Sequence, residues 1–138
     1  YEPVRMFAYR VRREVMPDGA AMQSIPWTIV INPVVEPVDD ETKLYWERCL
    51  SLPGLYGQVP RYRTIRFSYV DLTGTSMSHI SRGFHARLLQ HEFDHLDGYL
   101  YPMRMRDLST LGFVSELGPP AYPNLPRDAE DFVDPEYE

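Results

Sequence analysis

Two histidines four positions apart are the residues in this sequence best suited to chemistry. They lie in the segment His91-Glu92-Phe93-Asp94-His95. Residues i and i+4 share one face of an α-helix, so His91 and His95 can direct two imidazole nitrogens at one metal ion. The carboxylate of Glu92 lies close enough to exchange a proton with water at that ion. The spacing predicts a metal site on a helix, and the alternative is a pair of hydrogen-bonded core histidines.

Two imidazoles leave the coordination of a metal ion incomplete, and the third ligand is open at this point. No histidine follows His95. Cys49 is the only cysteine, which excludes an intrachain disulfide and makes it a core thiol, a reactive thiol or a metal ligand. It precedes the turn-forming residues 51–54, where side chains become free to serve a site. The downstream candidates belong to no recognisable motif: Asp97, Asp107 and Glu116.

The elements around these residues are predicted to be several strands followed by a core helix, an α+β arrangement. Residues 64–72 form the best strand, with Ile65, Phe67 and Tyr69 on one face. Further strands are predicted within residues 1–16, 27–31, 34–38 and 44–50. Apolar residues at helical spacing predict a helix over residues 78–96, begun by Ser76 or Ser78 and followed by Gly98. A second, shorter helix is predicted over residues 108–117.

Composition is that of one globular domain. The chain has 138 residues, 43% of them hydrophobic, and a formal net charge of −6. No apolar run reaches the roughly 18 residues of a transmembrane helix, and the acidic balance argues against a binder of nucleic-acid phosphates. Six acidic residues crowd into residues 127–138. We therefore predict a domain over residues 1–118 and an acidic, proline-rich, extended or disordered tail over residues 119–138.

Two motifs together resemble those of the peptide deformylase family. Residues 47–51 (ERCLS) resemble its E-G-C-L-S motif, and residues 90–98 (QHEFDHLDG) resemble its Q-H-E-x-D-H-L-x-G motif. Residues 59–61 (VPR) resemble the segment that follows the cysteine motif in that family. The resemblance covers roughly residues 1–106. It implies a deformylase-like fold of antiparallel strands around a central HExxH helix.

The resemblance also implies an activity and a ligand set. Cys49, His91 and His95 would hold a divalent metal, typically Fe²⁺, with Zn²⁺ often replacing it. Glu92 would act as general base and then as general acid, and the backbone N–H of Leu50 would help to hold the oxyanion. The substrate would be the N-formylmethionyl end of a nascent peptide, close to ribosomes, and the product formate. Neither DNA nor a membrane is an expected partner, and the protein is predicted to be cytoplasmic or organellar.

Other residues receive supporting roles by position. Phe84 and Leu88 precede His91 on the same helix face and should wall a pocket for the substrate methionine side chain, with Arg87 at its rim. The remaining candidates near substrate are Arg48 and Tyr56. A ligating histidine normally donates its second N–H to an acceptor. The candidate acceptors are Glu47, Asp94 and Gln90, with Arg61 as counter-charge for Glu47 or Asp94. His79 and His85 are predicted to be surface or structural residues.

The sequence departs from the family pattern in two places. Arg48 stands where the family usually has glycine, which would be costly if the backbone there needs a positive φ. The family's G-x-G-x-A-A-P-Q motif is missing. The hypothesis is that the chain begins just after that motif, and a lost oxyanion donor would cost about 10²- to 10³-fold in turnover. Two alternatives remain: a catalytically impaired deformylase-like binding module, and a HExxH metallopeptidase with a ligand downstream of His95.

Overall fold

The computed structural model describes residues 3–116 and 128–138 of the chain. These ranges contain eight β-strands and one long α-helix, α1. The strands are β1 (Met6–Val11), β2 (Ile25–Pro37), β3 (Thr42–Glu47), β4 (Leu55–Tyr62), β5 (Thr64–Val70), β6 (Ser76–Arg82), β7 (Gly112–Phe113) and β8 (Glu136–Tyr137), and α1 spans Gly83–Leu96. Among the described residues, no helix is both long and apolar enough to cross a membrane.

The strands form two antiparallel sheets, as the predicted α+β fold requires. One sheet has the order β1-β2-β5-β6-β8 and the other the order β3-β4-β7. Helix α1 packs its fully buried face, Ala86 and Leu89, into a core that includes Val30, Ile65 and Phe67 from the larger sheet. The helix therefore contacts strands of both sheets.

Strand β5 has the predicted alternation, with Ile65, Phe67 and Tyr69 all buried. Strand β2 is longer than predicted and joins the two strands expected on either side of residues 32–33. Asn32 makes this possible, because it adopts a φ of 51° where the pairing with β5 shifts register. Asparagine tolerates this left-handed conformation better than most residues, so the strand bulges instead of ending.

The predicted start of the helix at residues 76–78 is wrong. Residues 76–82 pair with β5 as strand β6, and α1 begins only at Gly83. Neither Ser76 nor Ser78 caps the helix, whose preceding residue is Arg82. Gly83 has a φ of +60° and lies against the backbone of Asp131, where a side chain would collide. Strand pairing therefore overrode the helical spacing, and a glycine made the abrupt change possible. The end is as predicted, at Leu96, with Gly98 following at a φ of +78°.

Two predictions about the C-terminal part also need correction. Residues 108–110 form a 3₁₀ turn and residues 112–113 pair with β4, so the helix predicted over 108–117 is wrong there, although residues 114–116 are helical. Residues 128–138 are ordered against the domain: Phe132 is 2% exposed and β8 pairs with β6. The prediction of a disordered tail is therefore wrong for these residues, because burial of Phe132 in the hydrophobic core stabilises their ordered conformation. The boundary at residue 118 lies outside the described residues.

Candidate metal centre

Three predicted ligands converge on one point. Cys49 follows the end of β3, and His91 and His95 project from one face of α1. The sulfur and the nearest ring nitrogens of the two histidines lie within 4.8 Å of one another. Cys49 Sγ is 3.5 Å from His95 Nε2. In a tetrahedral zinc site, bonds of about 2.3 Å to sulfur and about 2.0–2.1 Å to nitrogen place these atoms roughly 3.5 Å apart. The cluster therefore fits a metal ion.

The second nitrogen of each ligand histidine is already occupied. His91 Nδ1 donates to the Glu47 carboxylate at 2.8 Å, and His95 Nδ1 donates to the backbone carbonyl of Tyr99 at 3.2 Å. Both acceptors lack a proton to give, so each histidine presents an unprotonated Nε2 to the cluster. Glu47 was among the predicted acceptors. Tyr99 was missed, because a backbone carbonyl has no signature in the sequence.

A buried ion-pair network holds Glu47 in place. Arg61, 4% exposed, donates to Glu47 at 2.7 and 2.9 Å and to Asp94 at 2.7 Å. Arg104 also donates to Asp94, at 3.0 Å. Arg61 was predicted as counter-charge for Glu47 or Asp94 and contacts both. Asp94 therefore serves the arginines instead of a ligand histidine, and it fixes Arg61 from the side of α1.

Gln90 was predicted as an acceptor for a ligand histidine, but it has a different role. Its side chain pairs with the backbone N–H and carbonyl of Tyr62, at 3.0 and 2.9 Å. These two hydrogen bonds join α1 to the end of β4. Gln90 therefore sets where the helix, and with it His91, lies relative to the smaller sheet.

The electrostatics of the cluster favour the carboxylate form of Glu47 and the thiolate form of Cys49. Burial opposes ionisation of Glu47, but hydrogen bonds from Arg61 and His91 outweigh it and lower the pKa of the carboxyl. Burial likewise opposes ionisation of Cys49, yet the backbone of Ser51 and the nearby His91 lower the pKa of the thiol. For His91, the contact with Glu47 outweighs burial and raises the pKa. A nearby carboxylate also makes an imidazole a stronger electron donor to a metal.

The turn after Cys49 contains Leu50, which is 99% exposed, so its side chain packs against no wall of the site. Arg48 is also exposed. Asn32 is the one non-glycine residue with positive φ in the described ranges, so Arg48 occupies ordinary backbone space. Replacing the family's glycine by Arg48 therefore brings no backbone strain, only a charge beside the cleft.

A pocket of about 220 Å³ opens next to the ligands. Its lining residues come from the end of β3 and one face of α1: Trp46, Glu47, Arg48, Phe84, Arg87, Leu88, His91 and Glu92. Phe84, Leu88, Arg87 and Arg48 are thus where the sequence placed them. Trp46 was missed, although its period-2 position before the cysteine motif was a usable signal. Tyr56 is 1% exposed, and its ring lies 4.6 Å from that of Trp46 at a tilt of 38°, so it packs against a lining residue and does not line this pocket itself.

The other two histidines are fully buried, so the surface option predicted for them is wrong and the structural one holds. His79 lies in β6 and His85 in α1, each 0% exposed. Among downstream carboxylates, Asp97 pairs with Arg5 and Asp107 caps a 3₁₀ turn. The ligand downstream of His95 that the metallopeptidase alternative requires is therefore absent from the cluster in the described part of the chain.

An antiparallel α+β fold in which a HExxH helix meets an upstream cysteine defines a HExxH metalloprotein with a thiolate ligand. Comparison with known families narrows this class. Residues 2–110 match the model of the polypeptide deformylase family. The chain belongs to the peptide deformylase family. Peptide deformylases are metal-dependent hydrolases, and the Cys49, His91 and His95 cluster fits that dependence.

Individual relatives agree. The chain is 50% identical over 113 residues to peptide deformylase 1 of Bordetella pertussis, covering 82% of this chain and 62% of that protein. It is 47% identical over 120 residues to peptide deformylase 2 of Ralstonia nicotianae, covering 87% and 64%. The peptide deformylase of Ehrlichia chaffeensis, solved with actinonin, superposes with a TM-score of 0.64 at 29% identity, over 77% of this chain and 60% of that one. The chain thus spans a little over three fifths of these relatives.

Proposed function

We propose that this chain hydrolyses the formamide bond of N-formylmethionyl peptides and releases formate. The observation that supports this best is the convergence of Cys49, His91 and His95 beside Glu92 and the adjoining pocket. The pocket offers a place for the first side chain of the peptide. The substrates in the cell would be nascent peptides, which still retain their formyl group near the ribosome.

The ion would be Fe²⁺, with Zn²⁺ as a replacement, held by Cys49, His91 and His95. A thiolate with two imidazoles suits both ions. When bound, such an ion supplies Lewis acidity that polarises a carbonyl and acidifies water. The lowered pKa of Cys49 favours the thiolate form that a metal ligand requires.

The residues of the chain supply the proton transfers. Glu92 lines the pocket beside His91. Its carboxylate accepts a proton from the water that attacks the formyl carbon. The C–N bond then breaks, and Glu92 returns the proton to the departing amine nitrogen, so that formate and a free amino terminus are formed. The backbone N–H of Leu50, in the turn after Cys49, would donate to the developing oxyanion.

The test measures formate release from formyl-Met-Ala by the wild type and two variants. Each protein is reconstituted anaerobically with Fe²⁺ or Zn²⁺. Glu92→Gln should abolish release while metal content stays stoichiometric, because the glutamine amide cannot accept the proton. Asp97→Asn, an exposed carboxylate on the same helix end, is the matched control and should keep full activity. Binding of formyl-Met-Ala without formate release by the wild type would instead identify a binding module. Full activity of Glu92→Gln would refute the proposed role of Glu92.

A further inference from the structure

The back of the pocket wall is covered by a segment that sequence reasoning treated as a tail. We call residues 128–138 the C-terminal strap. Its Asp131 and Phe132 lie against the first turn of α1, and Phe132 pairs with Gly83 through a single β-bridge. Gly83 has no side chain, which lets the backbone of Asp131 approach this closely. The strap and the first turn of the helix are therefore fixed to one another.

Phe132 touches the pocket wall directly. Its ring stacks on that of Phe84 with centroids 4.7 Å apart and planes 19° apart. Phe132 is 2% exposed, whereas Phe84 lines the pocket on its other side. An aromatic ring backed in this way cannot rotate away from the pocket without opening a void in the core. The volume available in the pocket thus depends on a residue that does not line it.

Asp131 contacts a second residue of the pocket wall, Arg87. Its carboxylate is 7% exposed and lies 3.6 Å from the guanidinium of Arg87. That guanidinium also lies 3.6 Å from the ring centroid of Tyr45 and 5.6 Å from that of Phe84. Asp131 is thus the anionic partner of Arg87, whose guanidinium lies beside both rings. The strap therefore compensates the charge of this wall residue through an ion pair, without a hydrogen bond to Nη1.

We infer that Asp131 and Phe132 are positioning residues that set which side chain the pocket accepts, through Phe84 and Arg87. This inference rests on the proposed function for the nature of the ligand, a peptide whose first side chain enters the pocket. With the strap in place, Phe84 and Leu88 give the pocket an apolar wall and the charge of Arg87 faces the Asp131 carboxylate, which suits an apolar side chain. Without Phe132 it widens, and without the Asp131 carboxylate it gains a free cation.

The experiment measures binding of dipeptides and does not depend on turnover. The chain has two tryptophans, of which Trp46 lines the pocket and Trp27 is 63% exposed. In a Trp27→Phe background loaded with zinc, Trp46 fluorescence reports titrations with Met-Ala, Phe-Ala and Glu-Ala. Phe132→Ala should reduce the preference for Met-Ala over Phe-Ala by about tenfold, the scale of discrimination that a fitted apolar pocket provides. Asp131→Asn should raise the affinity for Glu-Ala relative to Met-Ala several-fold.

Affinity ratios separate positioning from general destabilisation, because a partly unfolded sample weakens binding of all three dipeptides equally. Phe132→Leu, which keeps an apolar filler, should fall between the wild type and Phe132→Ala and provides the test if the alanine variant does not fold. Glu136 also lies on the strap and forms an exposed ion pair with Arg82 of β6. Glu136→Gln removes this ion pair and should leave the affinity ratios unchanged.

Three results would each overturn the inference. The affinity ratios of the Phe132 variants could stay within twofold of the wild type, Glu136→Gln could shift the ratios equally, or the wild type could show no side-chain preference. Formate release by the wild type is measured in parallel. If the ratios shift as expected but no formate is released, the inference stands and the proposed function fails. If formate is released but the affinity ratios stay constant, the proposed function stands and the inference about the strap fails.

Discussion

The four histidines form two pairs, one within α1 and one between α1 and β6, and the two pairs have different environments. His91 and His95 are partly exposed, with rings 4.7 Å apart and perpendicular. His79 and His85 are completely buried, with rings 5.3 Å apart and nearly parallel at 19°. The first pair meets a cysteine and fits a metal ion. The second pair is hydrogen-bonded to Ser81 and Tyr9 and belongs to the core.

The use of the ring nitrogens explains the difference. In the buried pair, Ser81 Oγ lies 2.7 Å from His79 Nδ1 and 3.1 Å from His85 Nδ1, and Tyr9 Oη lies 3.0 Å from His85 Nε2. Both nitrogens of His85 are therefore used within the protein. In the metal pair only Nδ1 is used, and each Nε2 faces Cys49. His79 Nε2 has no hydrogen-bond partner but is fully buried, so for that ring it is burial, and not a second hydrogen bond, that separates it from the metal ligands.

The two pairs also differ in charge. Burial lowers the pKa of His79 to about 4 and that of His85 to about 3. His91 shifts the other way, because Glu47 outweighs burial and raises its pKa. Burial thus keeps one pair neutral, whereas in the other pair the Glu47 carboxylate holds His91 and the Tyr99 carbonyl holds His95. Four predictions test this contrast.

The largest effect is expected from exchanging one histidine of each pair for asparagine. His95→Asn removes a ligand and should weaken zinc binding by more than the roughly 10- to 100-fold typical of losing an outer partner. His79→Asn should keep stoichiometric zinc despite lower stability. Zinc content after dialysis and competition with a chromophoric chelator measure both. Equal zinc loss in the two variants would contradict the division into pairs.

Glu47→Gln should have the next largest effect on the metal pair. The amide cannot orient and polarise His91 as the carboxylate does, so zinc affinity should fall about 10- to 100-fold. It also leaves the buried Arg61 with Asp94 as its remaining carboxylate partner nearby. Glu41→Gln, which removes an exposed ion pair with Arg63, is the control and should not change zinc affinity. Unchanged affinity in Glu47→Gln would show that Glu47 is only structural.

Ser81→Ala addresses the buried pair alone. It removes the hydroxyl shared by His79 and His85 and should lower the free energy of unfolding by about 1–3 kcal/mol, the cost of unsatisfied buried polar groups. Zinc affinity should not change. Ser78→Ala, on the same strand and bonded at 3.3 Å to Ser68, should cost less. Urea unfolding measures both, and a loss of zinc binding in Ser81→Ala would mean that the two pairs are coupled.

The smallest effect is a pH dependence of stability. The folded pKa of His85 lies below its unfolded value, so the unfolded chain binds more protons and stability falls as pH drops below about 6.5. The slope approaches about 1.4 kcal/mol per pH unit for each buried histidine once the pH is well below 6.5. His85→Asn should flatten the slope of the unfolding free energy against pH. The difference between variant and wild type isolates His85 from His91, whose pKa shift has the opposite sign. An unaltered slope would contradict the prediction.

Much of the site was predictable because its ligands lie in local motifs. Helical spacing placed His91 and His95 on one face, and the period-2 pattern identified β5. The helix start was not predictable, because residues 76–82 have apolar spacing compatible with a helix and only pairing with β5 makes them a strand. Phe132 was missed for a similar reason, since its acidic, proline-rich surroundings resemble a tail until the core provides a place for it.

The amino-acid sequence by itself determined the chemistry available to this protein: a thiol, two imidazoles at helical spacing and a carboxylate beside them. Residue type and local periodicity suffice for that, because both are properties of short segments. Only the tertiary structure decided which histidines remain free to bind a metal, which carboxylate holds His91, and which residues stand behind the pocket wall. These depend on contacts between segments far apart in the chain, where burial and the position of a single acceptor outweigh any local preference.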